Sequence, residues 1–335
     1  YTLNVSGVSA GNVSSLAANT KVTSMLVTDT SANIATNLDA LQTNQAKITS
    51  ITQSGTPAAL DVTYSQVTSA AQALAKIDSN VYTLNVSGVS AGNVSSLAAN
   101  TKVTSMLVTD TSANIATNLD ALQTNQAKIT SITQDAPASS MTLTGAQYAN
   151  DQAALGKITG GYTATVNNVT AANAASVAGN SSVTALTVRD TAANIAANLD
   201  ALQTHHAKIT STTQTDAGTP LAITGTQVTN DADALADITP NTYTVQASGT
   251  FSASDAITLI TANSHVAVTI SDTAANIVSN LADLVTNRAQ ITSITQSNAG
   301  ALNVSYAQAT DANTITTLNK INSGTYTLNV SGVSA

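Results

Sequence analysis

The stretch VTDTSANIATNLDALQTNQAKITSITQ occupies residues 27–53 and recurs without a single change at residues 108–134. Just ahead of this stretch and at its start, Met25 and Val27 occupy alternate positions, as in a strand. The apolar residues that follow have the spacing of one helix face: Ile34, Leu38, Leu41 and Ile48. The stretch therefore predicts a short strand that leads into an amphipathic helix.

Asp29, Thr30 and Ser31 lie between the predicted strand and the predicted helix. Their side-chain oxygens can accept hydrogen bonds from the free N–H groups of the first turn, so we expect them to cap the helix. The same apolar pattern recurs three times: Val108 with Ile115, Leu119 and Leu122; Val188 with Ile195, Leu199 and Leu202; and Ile270 with Ile277, Leu281 and Leu284.

The whole chain is built from repeats of about 81 residues, whose first residues are Tyr1, Tyr82, Tyr162, Tyr243 and Tyr326. We divide it into four repeats and the start of a fifth: 1–81, 82–161, 162–242, 243–325 and 326–335. Residues 1–53 and 82–134 are identical, as expected for recent tandem duplication. The chain begins and ends within this pattern, so we expect it to be part of a longer array.

Each repeat contains two further strand and helix pairs. The first pair has a strand with Tyr1, Leu3 and Val5, a turn at Gly7, a cap at Ser9, and a helix with Val13 and Leu16. The second pair has a strand with Leu60 and Val62 and a helix with Val67, Ala71, Leu74 and Ile77. The segment ITSIT at 48–52 predicts an additional strand, so one repeat comprises three strand–helix modules.

These modules predict an α/β fold. Strands joined through helices run parallel with right-handed crossovers, and a single module cannot bury its own apolar stripe. We therefore expect stacked modules, about three in each 81-residue repeat, to form a solenoid with a continuous parallel sheet on one side and helices on the other. The outward strand faces would display Thr, Ser and Asn.

Composition excludes several classes of protein. Only 8% of residues are charged and the net charge is −8, without a basic stripe, which argues against nucleic acid as a partner. The chain has no cysteine, which removes disulfides and thiolate chemistry. It also has no apolar run of about 18 residues, so we expect no membrane insertion.

The repeated motif resembles the tandem-repeat regions of giant secreted bacterial RTX and hemolysin-like adhesins and surface-fibre proteins. The residues that carry the resemblance are VRDTAANIAANLDAL at 188–202, ISDTAANIVSNLADL at 270–284, and the variant VTDTSANIATNLDAL in the first two repeats. The glycine- and aspartate-rich nonapeptide that binds calcium in RTX proteins is absent from the sequence. The resemblance therefore implies export and surface display, without calcium in this segment.

No residue of the sequence is assigned a catalytic, cofactor-binding or metal-ligating role. His205, His206 and His265 occupy positions that hold other residues in the remaining repeats, which favours exposed substitutions over a site. One aspartate recurs in every repeat and is interpreted as a helix cap, because a single carboxylate supplies too few of the six to eight oxygens that calcium needs: Asp29, Asp110, Asp190 and Asp272. A second aspartate is expected on the polar helix side, in contact with solvent: Asp39, Asp120 and Asp200.

Two asparagines also recur, four residues apart: Asn33, Asn114, Asn194 and Asn276, and then Asn37, Asn118, Asn198 and Asn280. Their amides can form a ladder between repeats or bond to nearby loop backbone. Asn4, Asn12 and Asn303 match the glycosylation sequon, which chance explains in a chain this rich in Asn, Ser and Thr.

The sequence thus predicts a non-enzymatic structural repeat of a long extracellular or cell-surface bacterial filament, stalk or surface-layer protein. Its expected partner is itself, through end-to-end and lateral assembly, and no cofactor is expected. The alternative is an adhesin-type binding module that recognises carbohydrate or another surface, such as cell-surface glycans, through its Thr/Ser-rich sheet face.

Overall fold

The computed structural model describes residues 1–78 and 81–333. The chain forms two compact bodies, Tyr1–Ala164 and Thr165–Ala335, here called the N-terminal and C-terminal bodies. Residues 79–80 of the first repeat and 334–335 of the fifth lie outside the described residues. The division between the bodies falls close to the predicted boundary between the second and third repeats.

Strands and helices alternate along the N-terminal body. Its elements are β1 (Leu3–Val8), α1 (Val13–Ala17), β2 (Val22–Asp29), α2 (Ser31–Thr36), α3 (Leu38–Thr43), β3 (Ile48–Gln53), β4 (Leu60–Thr63), α4 (Tyr64–Ser69), α5 (Ala71–Leu74), β5 (Leu84–Val89), α6 (Val94–Ala98), β6 (Val103–Asp110), α7 (Ser112–Thr117), α8 (Leu119–Thr124), β7 (Ile129–Gln134), β8 (Met141–Thr144), α9 (Gly145–Asn150) and α10 (Gln152–Leu155).

The C-terminal body repeats this order, beginning with a strand whose first residue is Ala164. Its elements are β9 (Ala164–Val169), α11 (Ala171–Ala178), β10 (Val183–Asp190), α12 (Ala192–Ala197), α13 (Leu199–His205), β11 (Ile209–Gln214), β12 (Leu221–Thr224), α14 (Gly225–Asn230), α15 (Ala232–Ala236), β13 (Val245–Ser248), α16 (Ala253–Ala262), β14 (Val266–Asp272), α17 (Ala274–Ser279), α18 (Leu281–Thr286), β15 (Ile291–Gln296), β16 (Leu302–Ser305), α19 (Tyr306–Thr310), α20 (Ala312–Leu318) and β17 (Leu328–Ser331).

The strands pair in parallel, which confirms the predicted α/β class. In the N-terminal body, β1, β2 and β3 form one sheet, and β4, β5, β6 and β7 form another. The C-terminal body has β9, β10 and β11 side by side, a sheet of β12 to β15, and the pair β16 and β17. Apolar residues face each other in register, as Val27 does with Ile51 and Val62 with Val86.

The predicted continuous sheet is wrong, because the strands fall into separate sheets of two to four. After β3 the chain turns into β4, which packs against α2 and pairs with β5 rather than with β3. On its side away from β2, β3 has one bridge within the described residues, from Ile51 to Ile77. The same bridge follows the third strand of each later repeat: Ile132 with Ile158, Thr212 with Ile238, and Ile294 with Ile321.

The core consists of the inward positions of strands and helices. Met25, Ile34, Leu38 and Leu41 are fully buried, as the apolar pattern predicts. Strand β4 alternates between buried Leu60 and Val62 and exposed polar residues, so its outward face is hydroxyl- and carboxylate-bearing.

The long helices predicted from the sequence are each broken in two. At Asn37 the backbone has φ −102° and ψ 12°, which ends α2 and begins α3. Ile48 was placed on the helix face but begins β3 instead. A similar break at Ala70, with φ −106° and ψ 27°, shifts the register of α5, so that Ala70 and Ala73 are buried and Ala71 is exposed.

One backbone position in the first strand of each repeat adopts a left-handed conformation. Gly7 and Gly88 have φ of +66° and +65°, and Gly249 has φ of +97°. Asn168 takes this position in the third repeat, with φ +57°. Asparagine is among the non-glycine residues that best tolerate a left-handed backbone. Gly7 does not form the predicted turn, because it lies within β1, where the register between β1 and β2 shifts.

The buried helix stripe can be tested by matched truncations within one repeat. Leu119→Ala removes a side chain that is fully buried, and we expect a loss of about 2–5 kcal/mol in unfolding free energy. Leu107→Ala truncates a side chain that is 44% exposed on β6, so its cost should stay within about 0.5 kcal/mol. Urea unfolding followed by circular dichroism measures both, and equal costs would show that the helix register is wrong.

Candidate functional site

The most regular polar arrangement in the molecule centres on the aspartate that ends the second strand of each repeat. In the first repeat, Oδ2 of Asp29 accepts a hydrogen bond from the Ala10 N–H at 2.9 Å. Its Oδ1 accepts from the Thr30 N–H at 2.8 Å and from Nδ2 of Asn33 at 2.7 Å. One carboxylate therefore holds the starts of two successive helical segments, and we call this arrangement the aspartate clamp.

The aspartate clamp recurs in every repeat with nearly the same geometry. The bond to the earlier helical segment is 2.9 Å from Ala91 to Asp110, 3.0 Å from Ala171 to Asp190, and 2.9 Å from Ala253 to Asp272. The asparagine bonds measure 2.7, 2.6 and 2.7 Å in the same order. Because these distances are those of charge-assisted hydrogen bonds, each clamp is among the stronger polar contacts of its repeat.

Electrostatics favours the ionised carboxylate in the clamp. Burial raises the pKa of Asp29, but the hydrogen bonds from Asn33, Ala10 and Thr30 outweigh it, so the pKa lies below the ordinary value. The pKa of Asp190 and that of Asp272 are lowered for the same reason. The lowered pKa values favour the charged form of Asp29, Asp190 and Asp272, which accept hydrogen bonds from N–H groups at the helix starts.

Of the three residues predicted to cap α2, one does so. Asp29 instead accepts from the N–H just ahead of α2 and from the start of the earlier helical segment, and Ser31 accepts from Gln53 and Ala58. Thr30 is the true N-cap of α2, since its hydroxyl accepts from the Asn33 N–H at 3.2 Å. The Ser9 side chain does not cap the helical segment that follows it. The Ala10 N–H of that segment donates instead to Asp29, which lies 19 residues beyond Ala10. The structural reason is that β1 and β2 lie side by side, with Val8 opposite Val27.

The recurring asparagines bond locally, so the predicted ladder between repeats is wrong and the alternative of bonds to nearby backbone holds. Asn33 completes the clamp, while Nδ2 of Asn37 donates to the Asn33 carbonyl at 2.9 Å. The second pattern recurs at 2.9 Å in each repeat, from Asn118 to Asn114, Asn198 to Asn194 and Asn280 to Asn276.

Most lysines are also directed at backbone of the same chain. Nζ of Lys47 donates to the Ala17 carbonyl at 2.6 Å, where α1 ends, and Nζ of Lys76 donates to the Ile48 carbonyl at 2.6 Å. Four other lysines make equivalent bonds: Lys128, Lys157, Lys208 and Lys320. This role could not be predicted from the sequence, because the acceptor lies about 30 residues earlier in the chain.

The three histidines are half-buried rather than fully exposed. Nε2 of His206 lies 3.7 Å from Oδ2 of Asp233. His265 stacks on Tyr243 with ring centroids 4.4 Å apart, at the position where Lys21 lies over Tyr1 in the first repeat. The histidines are not brought together into one site.

Two polar features escaped the sequence interpretation. A capping box begins the helix after each fourth strand, where Thr63, Thr144, Thr224 or Ser305 exchanges hydrogen bonds with Gln66, Gln147, Gln227 or Gln308. The spacing T-x-x-Q carries that signal. The second feature is a pair of facing carboxyls in each of two repeats, where Asp120 contacts Asp151 and Asp200 contacts Asp231. Asp39, Asp120 and Asp200 are all exposed, as predicted.

Within residues 1–78 and 81–333, the structure contains no cluster of three or more His, Cys, Asp or Glu side chains that could hold a metal ion. Each clamp carboxylate already accepts hydrogen bonds from three N–H donors, one on Oδ2 and two on Oδ1. The aspartate clamp can therefore hold the backbone in place, with the carboxylate acting as a structural hydrogen-bond acceptor.

No protein-family model, curated protein or solved structure matches the chain. Among the helices of the described ranges, none combines the length and apolarity needed to cross a lipid bilayer.

If the aspartate clamp stabilises the fold, replacing one clamp carboxylate with a neutral amide should lower the free energy of unfolding. Asp272→Asn should lower the unfolding free energy by about 1–3 kcal/mol, because the carboxylate is buried and accepts three hydrogen bonds. Asp283→Asn, at an exposed position in the same repeat, is the control and should cost no more than about 0.5 kcal/mol. Since the folded-state pKa of Asp272 is lowered, the difference should be present above about pH 4 and disappear in stronger acid.

Thermal melts of both variants across pH measure this difference. A loss that is the same for Asp272→Asn and Asp283→Asn, or that does not depend on pH, would contradict the clamp.

Metal dependence gives a separate test. Because the clamp oxygens are occupied by N–H groups, excess chelator should leave the melting temperature and the circular dichroism spectrum unchanged at matched ionic strength. A fall in melting temperature that calcium reverses would contradict the assignment of the four aspartates to helix capping.

Proposed function

We propose that the chain is a structural repeat segment of a long extracellular bacterial filament, stalk or surface-layer protein, in which the repeats stack as a solenoid. The observation that carries the proposal is the aspartate clamp, which recurs at matched positions in all four repeats. The most regular polar groups of the chain bind its own backbone. Its extracellular and bacterial setting rests on the resemblance of the repeated motif to secreted adhesin arrays.

Low charge supports lateral association. Only 8% of the residues are charged, and six of the lysines donate to backbone carbonyls. Few charges therefore remain to repel a neighbouring rod.

A sheet edge supports end-to-end association. Strand β5 has both edges paired, to β4 and β6, whereas β1 pairs only with β2 within the described residues. Leu3 on β1 is 38% exposed, while its identical counterpart Leu84 on β5 is 1% exposed. The β1 edge thus has the shape and residues to receive a β4-like strand, from a further repeat or from a second copy.

A groove on the outer sheet face favours a second candidate, an adhesin-type module that binds glycans. The groove has a volume of about 450 Å³ and is lined by hydrogen-bonding side chains, among them Asp61, Asn85 and Ser105. Asn85 joins Asp61 at 2.9 Å and Ser105 at 2.6 Å, which presents an ordered row of polar groups. Its lining contains no aromatic side chain on which a sugar ring could stack.

Sedimentation velocity and negative-stain electron microscopy of the 335-residue chain test the proposal. We expect elongated species that lengthen as the concentration rises through the micromolar range. Leu3→Lys places a charge at the β1 edge and should suppress the longer species. Leu26→Lys changes a side chain that is 44% exposed on β2, so it is the control and should not suppress them.

Compact or strictly monomeric particles at every concentration would contradict the self-assembly proposal. Saturable binding on a glycan array by such particles, lost in Asn85→Ala, would favour the adhesin-type module instead.

A further inference from the structure

Two repeats contain a pair of carboxyls that the clamp and the fold do not use. In the second repeat, Asp120 lies in the first turn of α8, and Asp151 precedes α10, which packs against α8. The Asp120 carboxylate lies within hydrogen-bonding reach of Asp151. Asp200 on α13 and Asp231 ahead of α15 form the same pair in the third repeat.

Asp151 is unusual because it is buried without a donor. It is 4% exposed, and no N–H or O–H group of the described residues donates to its Oδ2. Asp231 is 5% exposed, and its Oδ2 likewise has no donor in the described part of the chain. A carboxylate in this position is costly, whereas a protonated carboxyl can donate to the facing aspartate.

Helix capping does not explain these aspartates. The N–H that Asp151 would cap, that of Ala154, already donates to Oε1 of Gln123 at 2.9 Å. In the first repeat the same bond runs from Ala73 to Gln42 at 2.9 Å, and the position of Asp151 is held by Ala70. The same helix start therefore forms in the first repeat without the carboxyl.

Few other ionisable groups lie on the packed elements. In the second repeat, α8 provides Asp120, α9 provides the buried Tyr148, and α10 provides none. In the third repeat, α13 provides Asp200 and His205, α14 provides none, and α15 provides Asp233, which pairs with His206. No lysine or arginine lies on these helices to neutralise the facing carboxylates.

We propose that Asp120 with Asp151, and Asp200 with Asp231, are proton-sharing pairs that fasten α10 to α8 and α15 to α13 in acid and loosen them near neutral pH. One proton, carried by the buried carboxyl, bonds to the facing carboxylate. When that proton leaves to solvent, two negative charges face each other and the helices separate. This inference does not depend on the proposed function.

The electrostatics agrees with this geometry. Burial, followed by the hydrogen bond and negative charge of Asp120, raises the pKa of Asp151 to about 6. Burial and then Asp200 raise the pKa of Asp231 to about 6 in the same way. Because the folded-state pKa is raised, the stabilisation is complete below the unfolded value of about 4 and is lost as the pH rises through about 6.

The test is a pH titration of the full chain labelled with ¹³C at aspartate carboxyls, with Asp151 assigned by Asp151→Asn. We expect a midpoint near pH 6 for Asp151, and at least a tenfold loss of hydrogen-exchange protection in α10 between pH 5 and pH 7.5. Asp120→Asn should lower the midpoint by a pH unit or more and remove the pH dependence of the protection. Asp39→Asn is the matched control, because Asp39 faces Ala70, and it should change neither.

Thermal melts keep the test decisive if a variant folds poorly. The melting temperature of Asp120→Asn should be lower than that of the wild type at pH 5 and no lower at pH 7.5. A general folding defect would lower the melting temperature at both pH values. The proposal is overturned by an Asp151 midpoint near pH 4, by a midpoint that Asp120→Asn leaves unchanged, or by equal effects of Asp39→Asn. Stabilisation of the wild type by calcium at pH 7.5 that Asp120→Asn abolishes would also overturn it, since the pair would then hold a metal ion.

Discussion

The structure depends on a single kind of contact, the carboxylate at the end of a strand that accepts N–H groups from two helix starts. Helices this short cannot sustain themselves by propensity, and each leaves N–H groups without partners at its first turn. The aspartate clamp satisfies such groups in two neighbouring modules at once. It therefore joins the first strand–helix module of each repeat to the second, through a carboxylate whose hydrogen bonds all stay within the repeat.

This constraint explains how a chain with so few charges remains ordered. Its 18 acidic residues are all aspartates, and the four clamp aspartates accept hydrogen bonds from backbone N–H groups. The lysines act in the opposite sense, since Lys47 donates to the carbonyl at the end of α1 and Lys76 donates to the carbonyl at the start of β3. Polar side chains thus bond to N–H and carbonyl groups at helix ends that would otherwise need water as a partner.

The sequence predicts local features well and pairing between elements poorly. Buried Leu119 and the clamp position of Asp29 follow from periodicity and from a strand–helix junction. The bond from Ala10 to Asp29 and the pairing of β4 with β5 depend on which strand lies beside which, and a pattern along one strand does not encode its neighbour. The facing carboxyls of Asp120 and Asp151 were missed for the same reason, as they meet only when α8 packs on α10.

The span of the clamp has a consequence at the level of the gene. The clamp joins residues 19 apart, and the bond from Ala154 to Gln123 joins residues 31 apart, so these contacts close well within 81 residues. Unequal recombination that adds or removes one whole repeat would keep the donor and the acceptor of each such hydrogen bond together. Chain length can then change by copy number alone, without a compensating mutation, and the identity of residues 1–53 and 82–134 is the pattern that such an exchange would leave.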